Sequence, residues 1–194
     1  MAVTRCAWAG EDPLYQRYHD REWGVPLHSD KKLFEFLSLE GMQAGLSWIT
    51  VLRKREAFRQ AFDGFDYNIV ANYDSGKIEE LINNSAIIRN KLKINAAVTN
   101  ARAFLEVRRE FGTFNRYIWG FVDNLPIQNT WTSLQEVPAK TLLAEELSKD
   151  LKMRGFSFVG PTIVYAHMQA TGMVNDHTTD CFRHAEVRGL ARKS

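Results

Sequence analysis

Soft metal ligands stand at both ends of this chain: Cys6 and His19 near its start, His177 and Cys181 near its finish. They account for both cysteines of the sequence and two of its five histidines. Thiolate and imidazole are ligands that Zn²⁺ prefers, and four of them close a tetrahedral structural site. Twelve residues separate Cys6 from His19, whereas three separate His177 from Cys181, which can place the second pair within one helical turn. One shared Zn²⁺ would join the end segments 1–25 and 173–182. Four protein ligands leave no position for water, so the ion is expected to be structural rather than catalytic. A disulfide between the two cysteines and a pair of inert thiols are the alternatives. A reducing compartment and the neighbouring histidines favour metal.

Glu40 follows Leu33 and Leu37 at helical spacing and so shares their apolar face. A carboxylate there is costly unless something pairs with it. It is either a boundary residue that reaches water or a buried acid that awaits a ligand with hydrogen-bond donors or positive charge. Trp8, Tyr15, Tyr18, Trp23 and Trp48 crowd the same third of the chain. Aromatic residues of a helical protein are ordinarily core. Five of them around one acid, in segments rich in Gly and Pro, also suit a planar, electron-poor ligand, because ring faces attract cations and stack on bases. In Gln43-Ala44-Gly45-Leu46-Ser47, Gly45 breaks a helix. Leu46 is then either tucked into a helix–turn–helix joint or exposed as a wedge of the kind that enters a base step. Residues 77–100 outline a helix, a tight turn and a second helix that opens with Arg89, Lys91 and Lys93. The N–H groups and cations of such a helix start can seat a phosphate, although basic first turns also occur on plainly solvated faces.

The elements that must position these groups are helical. Strand signals are scarce, and the spacing predicts an all-α domain of many short helices. Helices are predicted over 30–44 with Asp30 as N-cap, 48–61, 66–72 with Asp66 as cap, 74–83, 89–110, 114–122, 142–153 stopped by Gly155, and 161–171 stopped by Gly172. Residues 126–138 read as a long surface connection. The polar, basic stretch after Phe182 reads as a frayed tail, disordered over 188–194.

At 194 residues and 45% hydrophobic, the chain can bury one real core, taken as a single domain over 1–187. A net charge of +2 is compatible with a nucleic-acid partner without demanding one. The opening MAVTRCAWAGEDP lacks a signal-peptide core, and no stretch is long and apolar enough to cross a bilayer. A cytoplasmic monomer with no membrane association is expected.

Three stretches carry a resemblance: DPLYQRYHDREWGVP (12–26), LEGMQAGLSWITVLRKREAFRQAF (39–62) and SKDLKMRGFSFVGPTIVYAHMQATGMVNDH (148–177), followed by Cys181. With weaker matches between them, the chain over 4–182 resembles the DNA-3-methyladenine glycosylase I family of the helix–hairpin–helix glycosylase superfamily. The resemblance implies a base-excision repair enzyme that flips 3-methyladenine out of alkylated double-stranded DNA and removes it by hydrolysis. An abasic site would remain, and free 3-methyladenine would be a product ligand. It places the zinc ligands on Cys6, His19, His177 and Cys181, the base-contacting glutamate on Glu40, a pocket tyrosine on Tyr18 and a stacking tryptophan on Trp48. Trp8 matches a further pocket aromatic, and Gly45 and Leu46 match the turn that fills the vacated stack.

Joined to the reading of the residues, this makes Glu40 and Tyr18 the expected catalytic groups. Trp48, Trp8, Tyr15 and Trp23 would hold the base, and Gly45, Leu46, Arg89, Lys91 and Lys93 would meet the DNA. Ala86 stands where relatives often carry glycine, and His167 where an apolar side chain is expected. No aspartate follows the hairpin in NAAVTNARAF, an absence the resemblance predicts. No lysine is clearly placed as a Schiff-base nucleophile, so strand cleavage is not expected. Two rival readings are a nucleic-acid-binding module, which leaves Glu40 idle, and a zinc hydrolase, which needs a water on the metal.

Overall fold

The computed structural model describes residues 3–190, and these are mostly helical. The helices are α1 (Pro13–Arg21), α2 (Asp30–Gln43), α3 (Trp48–Ala61), α4 (Tyr67–Val70), α5 (Ser75–Asn83), α6 (Lys91–Phe111), α7 (Phe114–Trp119), α8 (Leu142–Met153), α9 (Pro161–Ala170) and α10 (Phe182–Leu190). Local chemistry starts most of them. Asp12, Asp66, Asp74, Asn90, Thr113 and Thr141 each accept hydrogen bonds from the first-turn N–H groups of the helix that follows.

Central to the fold is α2. Every residue from Leu33 to Met42 is buried, so the helix is enclosed on all sides rather than amphipathic. It packs against α3, α6, α7 and α9. Asp30 is not its N-cap, as the sequence suggested; that position is Ser29. Asp30 instead accepts hydrogen bonds from the backbone N–H groups of Phe114 and Asn115 and from Arg108 Nε at 2.7 Å. Its carboxylate therefore holds the start of α7 against α2.

Three further expectations change. A helix, α1, occupies 13–21, where only chemistry-bearing residues had been noted; Pro13 at its first position and Asp12 as cap are the signals. The connection over 126–138 is not wholly irregular. Its strand β1 (Ile127–Gln128) pairs in parallel with β2 (Val174–Asn175), so the fold is mostly helical rather than strictly all-α. The expected frayed tail is α10 as far as Leu190; residues 191–194 of that tail lie outside the described residues.

The segment leaving α1 lies against the end of α9. Gly24 N–H donates to Gln169 O, and Leu27 N–H donates to Thr171 O. Gly172 makes this approach possible, with φ +72° and a Cβ position only 2.4 Å from Val25 C and Pro26 N. Both the left-handed backbone and the backbone contact forbid a side chain there. Gly172→Ala is expected to cost about 3 kcal/mol or more of stability. Urea unfolding of the purified variant checks this, and a midpoint equal to the parent's would refute it.

Candidate active site and metal cluster

Two glutamates lie buried in the enclosed stretch of α2, and their surroundings differ completely. Glu35 receives Lys32 Nζ at 2.7 Å, Arg55 Nε at 2.7 Å and Arg59 Nε at 2.9 Å. Burial alone would raise its pKa, but Arg55 with Lys32 and Arg59 holds it below its ordinary value. Glu40 is equally buried, 3% exposed, yet among the described residues nothing donates to its carboxylate or pairs with it. Burial alone pushes its pKa up to about 8. Glu35 ties α2 to α3, whereas Glu40 is an acid held without a partner.

Glu40 faces a cavity of ≈ 210 Å³ whose lining includes Trp8, Tyr15, Tyr18, Trp23 and Trp48. All five aromatic residues singled out in the sequence therefore meet the acid. The rings form a connected set. Trp8 lies 5.0 Å from Tyr15 and edge-on to Trp23 at 4.9 Å, and Tyr18 lies 5.5 Å from Trp48. Tyr18 is fully buried, and burial followed by the nearby Glu40 raises its hydroxyl pKa well above 10. Burial and Glu40 raise Tyr15 in the same direction. Trp48 Nε1 is buried without a hydrogen-bond partner. The cavity thus offers stacking faces and one unpaired acid, which suits a planar ligand carrying donors or positive charge.

Other lining residues were missed by sequence reasoning: Gln43, Gln169, Asp176 and, from the connection, Leu134 and Val137. Asp176 is the most informative. It is buried and receives Asn129 Nδ2 at 2.6 Å, Trp131 Nε1 at 2.8 Å, Tyr165 Oη at 2.6 Å and Gln169 Nε2 at 2.8 Å. It fastens the connection to α9 and so builds one wall of the cavity. The signal available in the sequence was Asp176 standing directly beside the metal-ligand candidate His177.

Beside this wall, Cys6, His19, His177 and Cys181 converge, all buried, with their ligand atoms within 4.8 Å of one another. Bond lengths of about 2.3 Å to sulfur and 2.0–2.1 Å to nitrogen give S···N edges of roughly 3.5 Å in a tetrahedral site. The edges here are 3.4 Å for Cys6–His177, 3.4 Å for Cys181–His19 and 3.6 Å for Cys181–His177. The outer ring nitrogens are also held: His19 Nδ1 lies 2.8 Å from Asp20 Oδ1, and His177 Nε2 lies 3.1 Å from Trp23 O. Such outer partners fix ring orientation in metal sites. The donor set fits a four-coordinate metal ion.

The groups expected to meet DNA divide. Gly45, with φ +78°, turns the chain so that Leu46 is 41% exposed, so the tucked-in alternative for Leu46 does not hold. Arg89 and Lys91 are exposed at the turn between α5 and α6. Lys93 departs from the expectation. It is buried, and its Nζ donates to Met42 O and Ala44 O at the end of α2 instead of facing solvent. His167 is buried with both ring nitrogens unpartnered, and burial lowers its pKa to about 3; it is an uncharged core side chain of α9.

Comparison with known proteins places this arrangement. The chain matches the methyladenine glycosylase family over residues 8–184. It is 50% identical over 179 residues to DNA-3-methyladenine glycosylase 1 of Escherichia coli (strain K12), covering 92% of this chain and 96% of that protein. A crystal structure of 3-methyladenine DNA glycosylase I superposes with a TM-score of 0.90 at 49% identity, covering 92% of this chain and 98% of the other. The enzyme of the same description from Staphylococcus aureus, solved to explain its recognition of 3-methyladenine, superposes with a TM-score of 0.90 at 36% identity, covering 94% and 97%. The helical scaffold around the enclosed acid is thus shared with glycosylases across the whole fold. The chain belongs to the methyladenine glycosylase family.

The raised pKa of Glu40 has a measurable consequence for stability. Below its ordinary value of 4.5, the acid is protonated in both folded and unfolded chains and its burial costs little. Between 4.5 and about 8 the unfolded chain ionises first, so this residue lowers stability progressively as pH rises. Glu40→Gln should therefore gain stability relative to the parent across that window and hold the gain above it. Urea midpoints of both proteins from pH 4 to 9 test this; a difference independent of pH would show that Glu40 titrates normally.

Proposed function

We propose that the ring-lined cavity receives an everted N3-methylated adenine and that the protein hydrolyses its glycosidic bond, leaving an abasic site without cutting the strand. Family membership makes the protein a monofunctional DNA-3-methyladenine glycosylase of base-excision repair. The observation that supports the site assignment is the unpaired, buried carboxylate of Glu40 inside that cavity.

Methylation at N3 gives adenine in DNA a positive charge, and the base departs as a neutral molecule. The bond is weak already, so little acid catalysis is needed; selectivity lies in extraction, which costs a few kcal/mol and least for a damaged base. Trp48 and its neighbouring rings stack on the base, and Tyr18 fixes its orientation. Glu40 accepts hydrogen bonds from the base edge. A cation brought to Glu40 favours its ionised form, so the acid that burial keeps protonated is ready to become a counter-charge. Leu46, exposed on the Gly45 turn, occupies the vacated stack. Residues 75–111 serve as a helix–hairpin–helix element, with Arg89 and Lys91 meeting phosphates. Water attacks C1′ of an oxocarbenium-like sugar that DNA phosphates and Glu40 stabilise.

The same reading covers the cluster. Cys6, His19, His177 and Cys181 would hold Zn²⁺, which would supply structure by joining 1–25 to 173–182 and so hold Trp8 and Trp23 over the pocket. The four protein donors leave no place for a reacting water, which disfavours a zinc hydrolase. Residues 1–187 act as one glycosylase domain, a monomer in the cytoplasm. No helix among the described residues is long and apolar enough to cross a membrane.

Base release from methylated duplex DNA, with the freed base identified by chromatography, tests the activity. Glu40→Gln should fold, bind free 3-methyladenine more weakly and excise it roughly 100-fold more slowly. An unchanged single-turnover rate would remove Glu40 from the site. For the cluster, metal analysis should return one zinc per chain. Cys181→Ser should lower Tm by about 10 °C or more, the shift that a loss of several kcal/mol produces in a domain of this size. Purified protein that is free of zinc yet as stable as the zinc-bound form would overturn the structural role.

A further inference from the structure

Lys93 has a cost that its surroundings do not obviously require. Its ammonium is withdrawn from water, with a residue exposure of 8%, and its Nζ lies 2.9 Å from Met42 O and in contact with Ala44 O. These carbonyls belong to the last turn of α2, whose final C=O groups have no partner within the helix. Helix ends are usually satisfied by a glycine turn or by solvent, and the turn that follows, Gly45-Leu46-Ser47, is exposed to solvent. A buried lysine from another helix is an expensive substitute.

What that lysine holds explains the expense. Leu46 projects with 41% exposure and so has little packing to fix it. Its place depends on backbone tethers: Leu46 N–H to Gln43 O at 2.7 Å, Gln43 Nε2 to Leu46 O at 3.3 Å, and Lys93 on the carbonyls of Met42 and Ala44. At its other end, Lys93 is the third residue of α6, and its own N–H is capped by Asn90 Oδ1 at 3.1 Å, directly behind exposed Arg89 and Lys91. Lys54 completes the connection from the far side. It sits on α3, which begins just after the turn, and its Nζ donates to Ala86 O at 2.9 Å in the hairpin. Two lysines thus bolt the hairpin to the chain on either side of Leu46.

We propose that Lys93 is a positioning residue for base eversion: it sets the Leu46 turn relative to the phosphate-facing hairpin. Docking of the hairpin on the backbone then delivers the wedge to the base step beside the lesion. The inference rests on the glycosylase reading of the preceding subsection. Its substance is that Lys93, though buried and remote from phosphate, acts on DNA substrate and not on the free base.

The test uses zinc-bound full-length protein with Lys93→Met, of similar length and without charge, and Lys93→Gln, which can still donate. Single-turnover excision from methylated duplex should fall roughly ten- to hundredfold in Lys93→Met, with Lys93→Gln intermediate. The Kd for free 3-methyladenine should stay at the parent value in both. Leu46→Ala should slow excision as well, and the Lys93→Met/Leu46→Ala double variant should be no slower than the slower single variant, because both remove the same wedge. If Lys93→Met does not fold, Lys93→Gln carries every readout. Excision at the parent rate in the Lys93 variants or in Leu46→Ala overturns the proposal. So do losses that multiply in the double variant, or free-base affinity that falls in step with excision, which would make Lys93 a prop for α2 alone. A parent protein that releases no base would sink the glycosylase reading itself; normal release by the parent and by Lys93→Met sinks only this inference.

Discussion

An ionisable group kept in the enclosed stretch of a helix without a counter-charge is the constraint on which this molecule depends. Helix α2 could carry apolar residues at every enclosed position, and at most of them it does. Glu35 shows how the fold treats an acid that serves structure: two arginines and a lysine surround it. Glu40, five positions further on, receives no such treatment. On the proposed reading, the unfavourable desolvation is retained because the unpaired carboxylate is the recognition device. A flat cation entering between the rings supplies the charge and donors that the protein withholds, whereas an unmodified, neutral base offers less in return.

Such a pocket needs walls that do not yield, and these come from both ends of the sequence. Trp8 follows the ligand Cys6 by two positions, and the Trp23 ring meets the His177 ring edge-on at 4.6 Å while its carbonyl accepts from the same imidazole. The cluster that orders the ends therefore also orders the rings. Asp176, next to His177, extends that order to the connection through its four donors. The paired backbones of Gln128 and Asn175 continue it for one further step. Pocket geometry thus follows from contacts between segments about 45 to 170 residues apart, with the Cys/His cluster at their junction.

Where the sequence was legible, one local rule dominated. The cap Asp66 and the stops at Gly155 and Gly172 mark helix limits because their chemistry acts within a few residues. The Cys/His cluster was visible because those residues are rare here, and Glu40 because an acid interrupts an apolar face. What failed was long-range. Asp30 looks like a cap for its own helix, but serves α7 across more than eighty residues of chain. Lys93 looks like one more cation in a basic first turn, and only the packing of α6 on α2 turns it inward. Asp176 had no periodicity to mark it. Helix α10 lies in a stretch whose polar composition resembles a tail, but Val187 is buried and Phe182 N–H donates to Thr4 O.

Wedge and acid are placed by the same few residues, and that economy has a mechanical meaning. From Glu40 the chain makes its last helical turn, reverses at Gly45 and exposes Leu46, six positions later. Only a short, hydrogen-bonded turn intervenes, so on the proposed reading the point that would enter the base stack lies a short span from the point that would receive the extruded base. A duplex held at that span would then relax by eversion rather than by parting wedge from pocket. Stacking and charge then decide whether the everted base stays long enough for water to reach the sugar. On that reading the short path from wedge to acid presents candidates, and the unpaired carboxylate selects among them.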